Sequence, residues 1–402
     1  MTEQPRGTVV VGASTAGLAT AEALRALGDT APVTLVGEEP RLPYNRPSLT
    51  KQVLTGAWAP EQATLLGAAA LDALGIRVVT GVRATRLDLE RREVATASVE
   101  DGRPGRIPFE TLVVATGVSA RRHPAVPTAL TVRTLDDVLA LRAAWSAGPR
   151  VVVIGGGVLG CELASAARGA GLDVEIVTRD PGLQPGGLGR HVDERVERLF
   201  DRHGVRLRRH VDVVASRVSG EVTRLDLSDG THVEADLVVA AIGAEPAVGW
   251  LRGSGLQLAD GVLCAPDGQA AAGVYAVGDV SARWDPRKGR YVRAENQTRA
   301  IEQAQDLAAA LVTGAGAPPR QPYFWTELFG TRIQALGHVP PVAQLRVVAG
   351  EVDGDRFVAA YGPPGAACAV VGWNMAREFR LARALVTEQG RPSTTTTGGS
   401  PS

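Results

Sequence analysis

The chain has 402 residues with 43 basic and 43 acidic side chains, so its formal net charge is zero. That length is enough for two or three domains with cores of their own, and the balanced charge gives no reason to expect nucleic acid or an anionic membrane as partner. No apolar run reaches the roughly 20 residues of a membrane span, and the polar start MTEQPRG carries no signal-peptide pattern, so a cytoplasmic protein is expected.

Val9, Val10 and Val11 form an unbroken β-branched run suited to a strand buried on both faces of a parallel sheet. Gly12, Ser14 and Gly17 follow with the spacing G-x-G-x-x-G, serine standing at the middle position, and a helix with apolar residues three and four apart runs on to Leu27. Strand, tight turn and helix are the opening unit of a dinucleotide-binding domain, in which backbone N–H groups and the positive helix end face a pyrophosphate. A second hydrophobic strand, Val33 to Val36, is followed by Glu38, where an acid reaches a ribose hydroxyl.

The stretch from Gly37 to Pro47 is too rich in proline for helix or central strand, and an ordered loop of this length is usually functional. It delivers Arg46 and then Lys51 near the first turn. Only Lys51 and Lys288 are lysines in a chain whose other cations are arginine, which suggests that a compact ammonium is wanted at Lys51; Lys288 reads as a surface charge. Short strands and a hairpin are expected over Gly75 to Asp88 and Glu93 to Pro108. Another buried strand leads to Thr116 and Gly117, whose small side chains suit close passage under a cofactor.

The second fingerprint is intact. Strand Val151 to Ile154, the glycines Gly155, Gly157 and Gly160, a helix through Glu162 and a strand Val174 to Val177 repeat the first unit, and Asp236 to Gly243 echoes Leu112 to Gly117. Internal repetition of this kind points to two bound dinucleotides. Gly273 to Asp279 is one more buried strand ending in an acid, where the chain is expected to return to the first domain. A helix over Glu295 to Val312 follows, then short strands from Tyr323 and a closing helix over Asn374 to Val386. That helix spaces Arg377, Arg380 and Arg383 as a stripe, and Arg283, Arg287, Lys288, Arg290 and Arg293 read as a second basic cluster; either is a candidate docking face for an acidic partner. The tail 391–402 is low-complexity and is expected to be disordered. Cys161, Cys264 and Cys368 have neither metal-ligand nor redox-disulfide spacing, so they are read as small buried hydrophobes and no metal site is expected.

The fold class is therefore α/β: two Rossmann-like dinucleotide-binding domains and a C-terminal α+β domain. The expected bounds are 1–120 and 247–320 for the first domain, 121–246 for the second and 321–390 for the third.

Through VVVGASTAGLATAEALR, LVGEEPRLPYNRPSLTK, LVVATG, VVVIGGGVLGCELA, AAIGAEP, GVYAVGDV, VRAENQ and YFWTELFG, the chain resembles the FAD-dependent, NAD(P)H-oxidising ferredoxin reductases. These include putidaredoxin reductase, rubredoxin reductase and the reductases of ring dioxygenases. The resemblance implies that Gly12, Ser14 and Gly17 hold the FAD pyrophosphate and Glu38 its ribose. Arg46 and Lys51 would lie along the FAD, with the Lys51 ammonium at the flavin; Thr116 and Gly117 would pass near it, and Asp279 would bind the ribityl chain. Gly155, Gly157, Gly160 and Gly243 would receive NADH or NADPH, with Glu162 near the nicotinamide. A carboxylate binds sugar hydroxyls and a cation stabilises reduced flavin, so these roles are chemically apt. The resemblance implies a small iron–sulfur ferredoxin as acceptor. A self-contained flavoenzyme or a non-catalytic NAD(P)H-sensing protein would fit the same fold.

This sequence departs from the family pattern at Thr178, which replaces a glutamate, at Glu295-Asn296-Gln297, which replaces E-H-W, and at Asn45 and Ser48, which replace Asp and Pro. With Arg179 next to Thr178, NADPH is expected to be accepted at least as well as NADH.

Overall fold

The computed structural model describes residues 7–184, 186–314, 316, 320–339 and 344–386. The expected disordered tail lies outside them. The chain sorts into two compact units, one of 1–183 with 199–319 and one of Gln184–Arg198 with the chain from Arg320.

The first unit opens with β1 (Thr8–Val11), α1 (Thr15–Ala26), β2 (Val33–Val36), β3 (Ile76–Val79) and β4 (Thr111–Val114). The repeat follows as β5 (Arg150–Ile154), α2 (Val158–Gly169), β6 (Asp173–Val177), β7 (Arg206–Arg208) and β8 (Leu237–Ala240). The chain then returns through β9 (Gln269–Ala271) and β10 (Val274–Ala276) to α3 (Gln297–Thr313).

The first sheet has the order β9-β10-β4-β1-β2-β3, parallel except for β9. The β-branched run of β1 lies at its centre because both faces are covered. Strand alternation sends Val10, Leu35 and Val113 to the face under α1 and α3, and Val9, Val11, Leu112 and Val114 to the other. The second sheet, β7-β6-β5-β8, is wholly parallel. Residues Val118–Ala120 and Ala244–Pro246 pair antiparallel, so the segments leaving β4 and β8 run side by side.

The second unit is a five-stranded antiparallel sheet of β11 (Tyr323–Leu328), β12 (Thr331–Gly337), β13 (Leu345–Gly350), β14 (Phe357–Tyr361) and β15 (Ala369–Trp373), in the order β11-β12-β15-β14-β13. Arg195, from the mid-chain segment of this unit, lies over the rings of Phe357 and Trp373. The closing helix is shorter than its sequence pattern predicts. It runs as α4 (Ala376–Ala382) and then as a 3₁₀ turn, Arg383–Leu385. Asn374 is excluded because it has φ +54° and its side chain accepts from Arg332 N at 2.8 Å, which ends the strand rather than starting a helix. Arg377 and Arg380 thus share α4, whereas Arg383 sits on the 3₁₀ turn with its guanidinium 5.9 Å from the Tyr323 ring centre.

The second basic cluster also narrows. Arg283 is buried beneath the hairpin Ser281–Asp285/Arg290–Arg293, pointing at the carbonyls of Pro266 and Ala276, and burial lowers its pKa to about 10. Arg293 is taken by Asp260 at 3.0 Å and Glu295 at 2.5 Å.

Candidate functional site: two dinucleotide loops joined by a buried ion pair

Each fingerprint loop is shaped by close backbone approach. A Cβ on Gly12, at φ +124°, would lie 2.1 Å from Ala115 O, and one on Gly17 2.0 Å from Gly12 O. The second loop repeats this: Gly155, at φ +114°, would bring a Cβ within 2.3 Å of Ala241 O, and Gly160 within 2.0 Å of Gly155 O. The middle position differs. A Cβ on Gly157 would meet nothing within 4 Å, and both Gly157 and its counterpart Ser14 have negative φ in an extended conformation. Serine in the first loop therefore costs the backbone nothing.

Around the first loop the proline-rich segment folds inward. It ends in a 3₁₀ turn, Arg46–Ser48, and a π-helical turn, Leu49–Val53, which carries Lys51. Arg46 donates to Ser14 Oγ at 3.2 Å, to Tyr44 Oη at 3.1 Å and to the carbonyl of Arg133, pairs with Glu39 at 2.7 Å, and stacks on the Tyr44 ring. Tyr44 is buried, donates to Glu39 at 2.5 Å and accepts from Leu135 N; burial pushes its hydroxyl well above the ordinary range. The Arg133 guanidinium stands against Gly117 and 3.4 Å from Asp279. Burial and the neighbouring Arg46 charge lower the Arg133 pKa, while burial raises that of Asp279. Thr116 Oγ1 donates to Ala247 O at 3.0 Å, which fixes the strand end beside this group.

Lys51 and Glu162 meet. The ammonium lies 2.8 Å from Glu162 Oε1 with both side chains nearly buried, Thr50 Oγ1 donates to Glu162 Oε2 at 2.7 Å, and Lys51 also donates to Pro47 O at 3.2 Å. Glu162 is on the first turns of α2, directly after the second fingerprint, so the pair joins the two loops. Gln297, the first residue of α3, donates to Asn45 Oδ1 at 2.9 Å and to Thr15 Oγ1 at 3.3 Å. Two departures from the family pattern are thus hydrogen-bonded to each other.

Glu38 stands apart from this group, more than half exposed and 2.8 Å from Arg83. Thr178 is buried at the end of β6 beside Gly156, Arg179 is exposed, and Gly243 follows β8 with φ +98°. Glu39, Tyr44, Thr50 and Arg133 belong to the site but carry no fingerprint. Only their place in the long proline-rich loop, or just before the helix Leu135–Trp145, could have marked them. Cys161, Cys264 and Cys368 form no disulfide; Cys161 and Cys264 are buried, and burial raises the Cys264 thiol to about 12.

Comparison with known proteins agrees with this geometry. Residues 6–309 match the pyridine nucleotide-disulphide oxidoreductase family, and residues 323–398 match a reductase C-terminal domain. The ferredoxin–NAD(+) reductase subunit of a benzene 1,2-dioxygenase system from Pseudomonas putida is 33% identical over 94% of this chain and 92% of its own. The ferredoxin reductase component of a chlorobenzene dioxygenase from a Cupriavidus species is 35% identical over 94% and 91%. A putidaredoxin reductase solved in covalent complex with putidaredoxin superposes with a TM-score of 0.87 at 28% identity, covering 95% of this chain and 93% of the other. The chain belongs to the pyridine nucleotide-disulphide oxidoreductase family. It is an oxidoreductase whose cofactors are FAD and NAD(H).

The residues present fit these cofactors. Two partly buried, mutually repelling arginines, Arg46 at the first loop and Arg133 next to it, stand near the positive end of α1, an arrangement that a diphosphate relieves. The raised Asp279 carboxyl is likewise suited to sugar hydroxyls.

Proposed function

We propose that the protein is the reductase of an electron-transfer chain, drawing electrons from a reduced nicotinamide dinucleotide and passing them singly to a small iron–sulfur ferredoxin that serves an oxygenase. The observation that carries this is the buried Lys51–Glu162 pair between the two dinucleotide loops. A protein that merely bound nucleotides would need no ion pair where the two reactive rings meet. The similarity to ferredoxin reductases of dioxygenase systems supports the choice of a ferredoxin as acceptor. No helix among the described residues is long and apolar enough to cross a membrane, and we place the protein in the cytoplasm.

FAD, when bound, supplies the ability to accept two electrons together and release them one at a time. The chain's residues do the rest. Gly12, Ser14 and Gly17 shape the turn that receives the diphosphate, with Ser14 and Gly17 presenting backbone N–H groups and Arg46 and Arg133 adding charge; Asp279 takes ribityl hydroxyls and Glu38 the ribose. Thr116 and Gly117 let the cofactor lie close to the strand end. Lys51 holds a positive charge where negative charge grows on reduction, which stabilises the reduced form. Glu162 orients that ammonium and in turn is held by Thr50, so the charge is aimed before any dinucleotide arrives. Gly155, Gly157, Gly160 and Gly243 form the nicotinamide-dinucleotide side. We assign residues 1–120 and 247–320 to the FAD domain, 121–246 to the nicotinamide domain and 321–390 to the third.

The test is anaerobic reduction of the purified yellow protein by NADH, followed by reoxidation with oxidised ferredoxins and, separately, with O₂. Rapid electron delivery to a ferredoxin supports the proposal. Reoxidation that is fast only with O₂ or a small molecule points instead to a self-contained flavoenzyme. A preparation that neither contains nor binds FAD would refute both.

A further inference from the structure

The end of the second strand of the nicotinamide-dinucleotide unit faces the adenosine ribose in proteins of this architecture. An acid there grips the 2′-hydroxyl, whereas an arginine accommodates a 2′-phosphate. We infer that this protein carries a 2′-phosphate subsite at the carboxyl ends of β6 and β7 and binds the phosphorylated dinucleotide, NADPH, in preference to NADH. The inference rests on the reading that Gly155, Gly157 and Gly160 hold a nicotinamide dinucleotide.

Three observations carry it. First, the residue after β6 is Thr178, whose hydroxyl is already engaged: it accepts from Asp180 N at 3.2 Å and lies 3.4 Å from Asp180 Oδ2. The turn 178–180 therefore closes on itself beside Gly156 of the fingerprint, and the Asp180 carboxyl is turned to Thr178 instead of pairing with Arg179. Second, Arg179 is exposed and makes no ion pair among the described residues. Third, the strand alongside adds positive charge. Thr178 N donates to Arg208 O at 2.9 Å, His210 N to Asp180 O at 3.2 Å and Val211 N to Thr178 O at 3.1 Å, so residues 208–211 run next to 178–180. This brings the exposed Arg209 and His210 to the same edge. Asp180 is the one carboxylate in this edge segment, and it is the residue that an alternative, ribose-gripping role would need.

Physically, a guanidinium that has not been neutralised offers a phosphate two parallel charge-assisted hydrogen bonds. Removing the strand-end acid removes the repulsion that normally keeps a 2′-phosphate out. Each change shifts the preference in the same direction.

The experiment titrates the oxidised FAD-containing protein with adenosine 2′,5′-bisphosphate and with 5′-AMP at fixed ionic strength, by calorimetry or flavin difference spectra. We expect the bisphosphate to bind at least tenfold more tightly. Arg179→Ala should collapse that difference while leaving 5′-AMP affinity unchanged, and Thr178→Glu should invert it. Asp180→Asn should leave 5′-AMP affinity unchanged. The ratio of kcat/KM for NADPH and NADH should follow the same order. Equal affinity of the wild type for the two probes overturns the inference, as does an Arg179→Ala protein that keeps full discrimination. A loss of 5′-AMP binding in Asp180→Asn also overturns it, because Asp180 would then be the acid that holds the ribose. Failure of both probes to bind the wild type overturns instead the dinucleotide reading beneath it.

Discussion

Lys51 and Glu162, 111 residues apart in the chain, form an ion pair 2.8 Å long with little solvent access. One comes from the loop that follows the first dinucleotide unit and the other from the helix that opens the second. On the proposed assignment of the two loops, a bond between them means that the charge beside one cofactor is set by a residue of the other's domain.

Lys51→Met should leave FAD bound but slow its reduction by NADH about tenfold or more, as expected when a charge-stabilising group is removed. Stopped-flow absorbance measures this. Removing one partner of a buried pair costs about 3–5 kcal/mol, and the low end applies here because Thr50 still donates to Glu162. The double variant Lys51→Met/Glu162→Gln should therefore regain melting temperature without regaining rate. Unchanged reduction kinetics in Lys51→Met would leave the pair a purely structural one.

The two fingerprints predict opposite tolerance at the first and the middle glycine position. Gly12→Ala would place its Cβ 2.1 Å from Ala115 O at a positive φ, so the variant should lose FAD and most of its soluble yield. Gly157→Ser recreates the residue found naturally in the first loop, and nothing lies within 4 Å of its Cβ. It should fold and melt within a few degrees of the wild type. Comparable damage from both substitutions would contradict the steric account.

The exposed face of α4 combines Arg377 and Arg380 with Leu381, which is 71% exposed. If an acidic ferredoxin docks there, its reduction should fall steeply with ionic strength while ferricyanide reduction stays level. Arg377→Glu/Arg380→Glu should raise KM for ferredoxin about tenfold and leave ferricyanide turnover unchanged. Parallel salt dependence of the two acceptors would exclude an electrostatic docking face.

Asp236 accepts from Arg150 N at 2.8 Å and Arg150 Nε at 3.0 Å and holds the start of β5; these hydrogen bonds lower its pKa from 3.8 to about 2. A carboxylate with a depressed folded pKa contributes stability that is present above its unfolded value and lost as pH falls towards its folded one. The melting temperature gap between wild type and Asp236→Asn should therefore be constant above about pH 5 and close between about pH 4 and pH 2. A gap that persists at pH 2 would mean that the aspartate acts through shape instead of charge.

Much of this architecture is legible in the residues. The runs Val9–Val11 and Val151–Ile154 could only be doubly covered strands, and glycines at fixed spacing marked both loops. What could not be read was convergence. Nothing local in Arg133 or Glu39 predicts that they meet Arg46, because the first contact spans 87 residues and the second depends on how the proline-rich loop turns. The basic hairpin narrowed for a related reason: charge in a sequence says nothing of depth, and Arg283 is covered while Arg293 is paired. The closing helix was misread because helical spacing of arginines outweighed one asparagine whose side chain serves a strand.

The hydrogen bond from Gln297 to Asn45 has a consequence for anyone exchanging segments among these reductases. Transplanting a relative's loop alone would put an aspartate opposite an amide, and transplanting its helix start alone would leave the Asn45 carbonyl oxygen facing an aromatic ring. The second half-graft strands a polar atom, at a cost of about 1–3 kcal/mol if it is buried, whereas in the first an aspartate still accepts from Gln297 Nε2 but brings a negative charge to that spot. The two positions are partners in one hydrogen bond although 252 residues separate them. A chimera should carry both or neither.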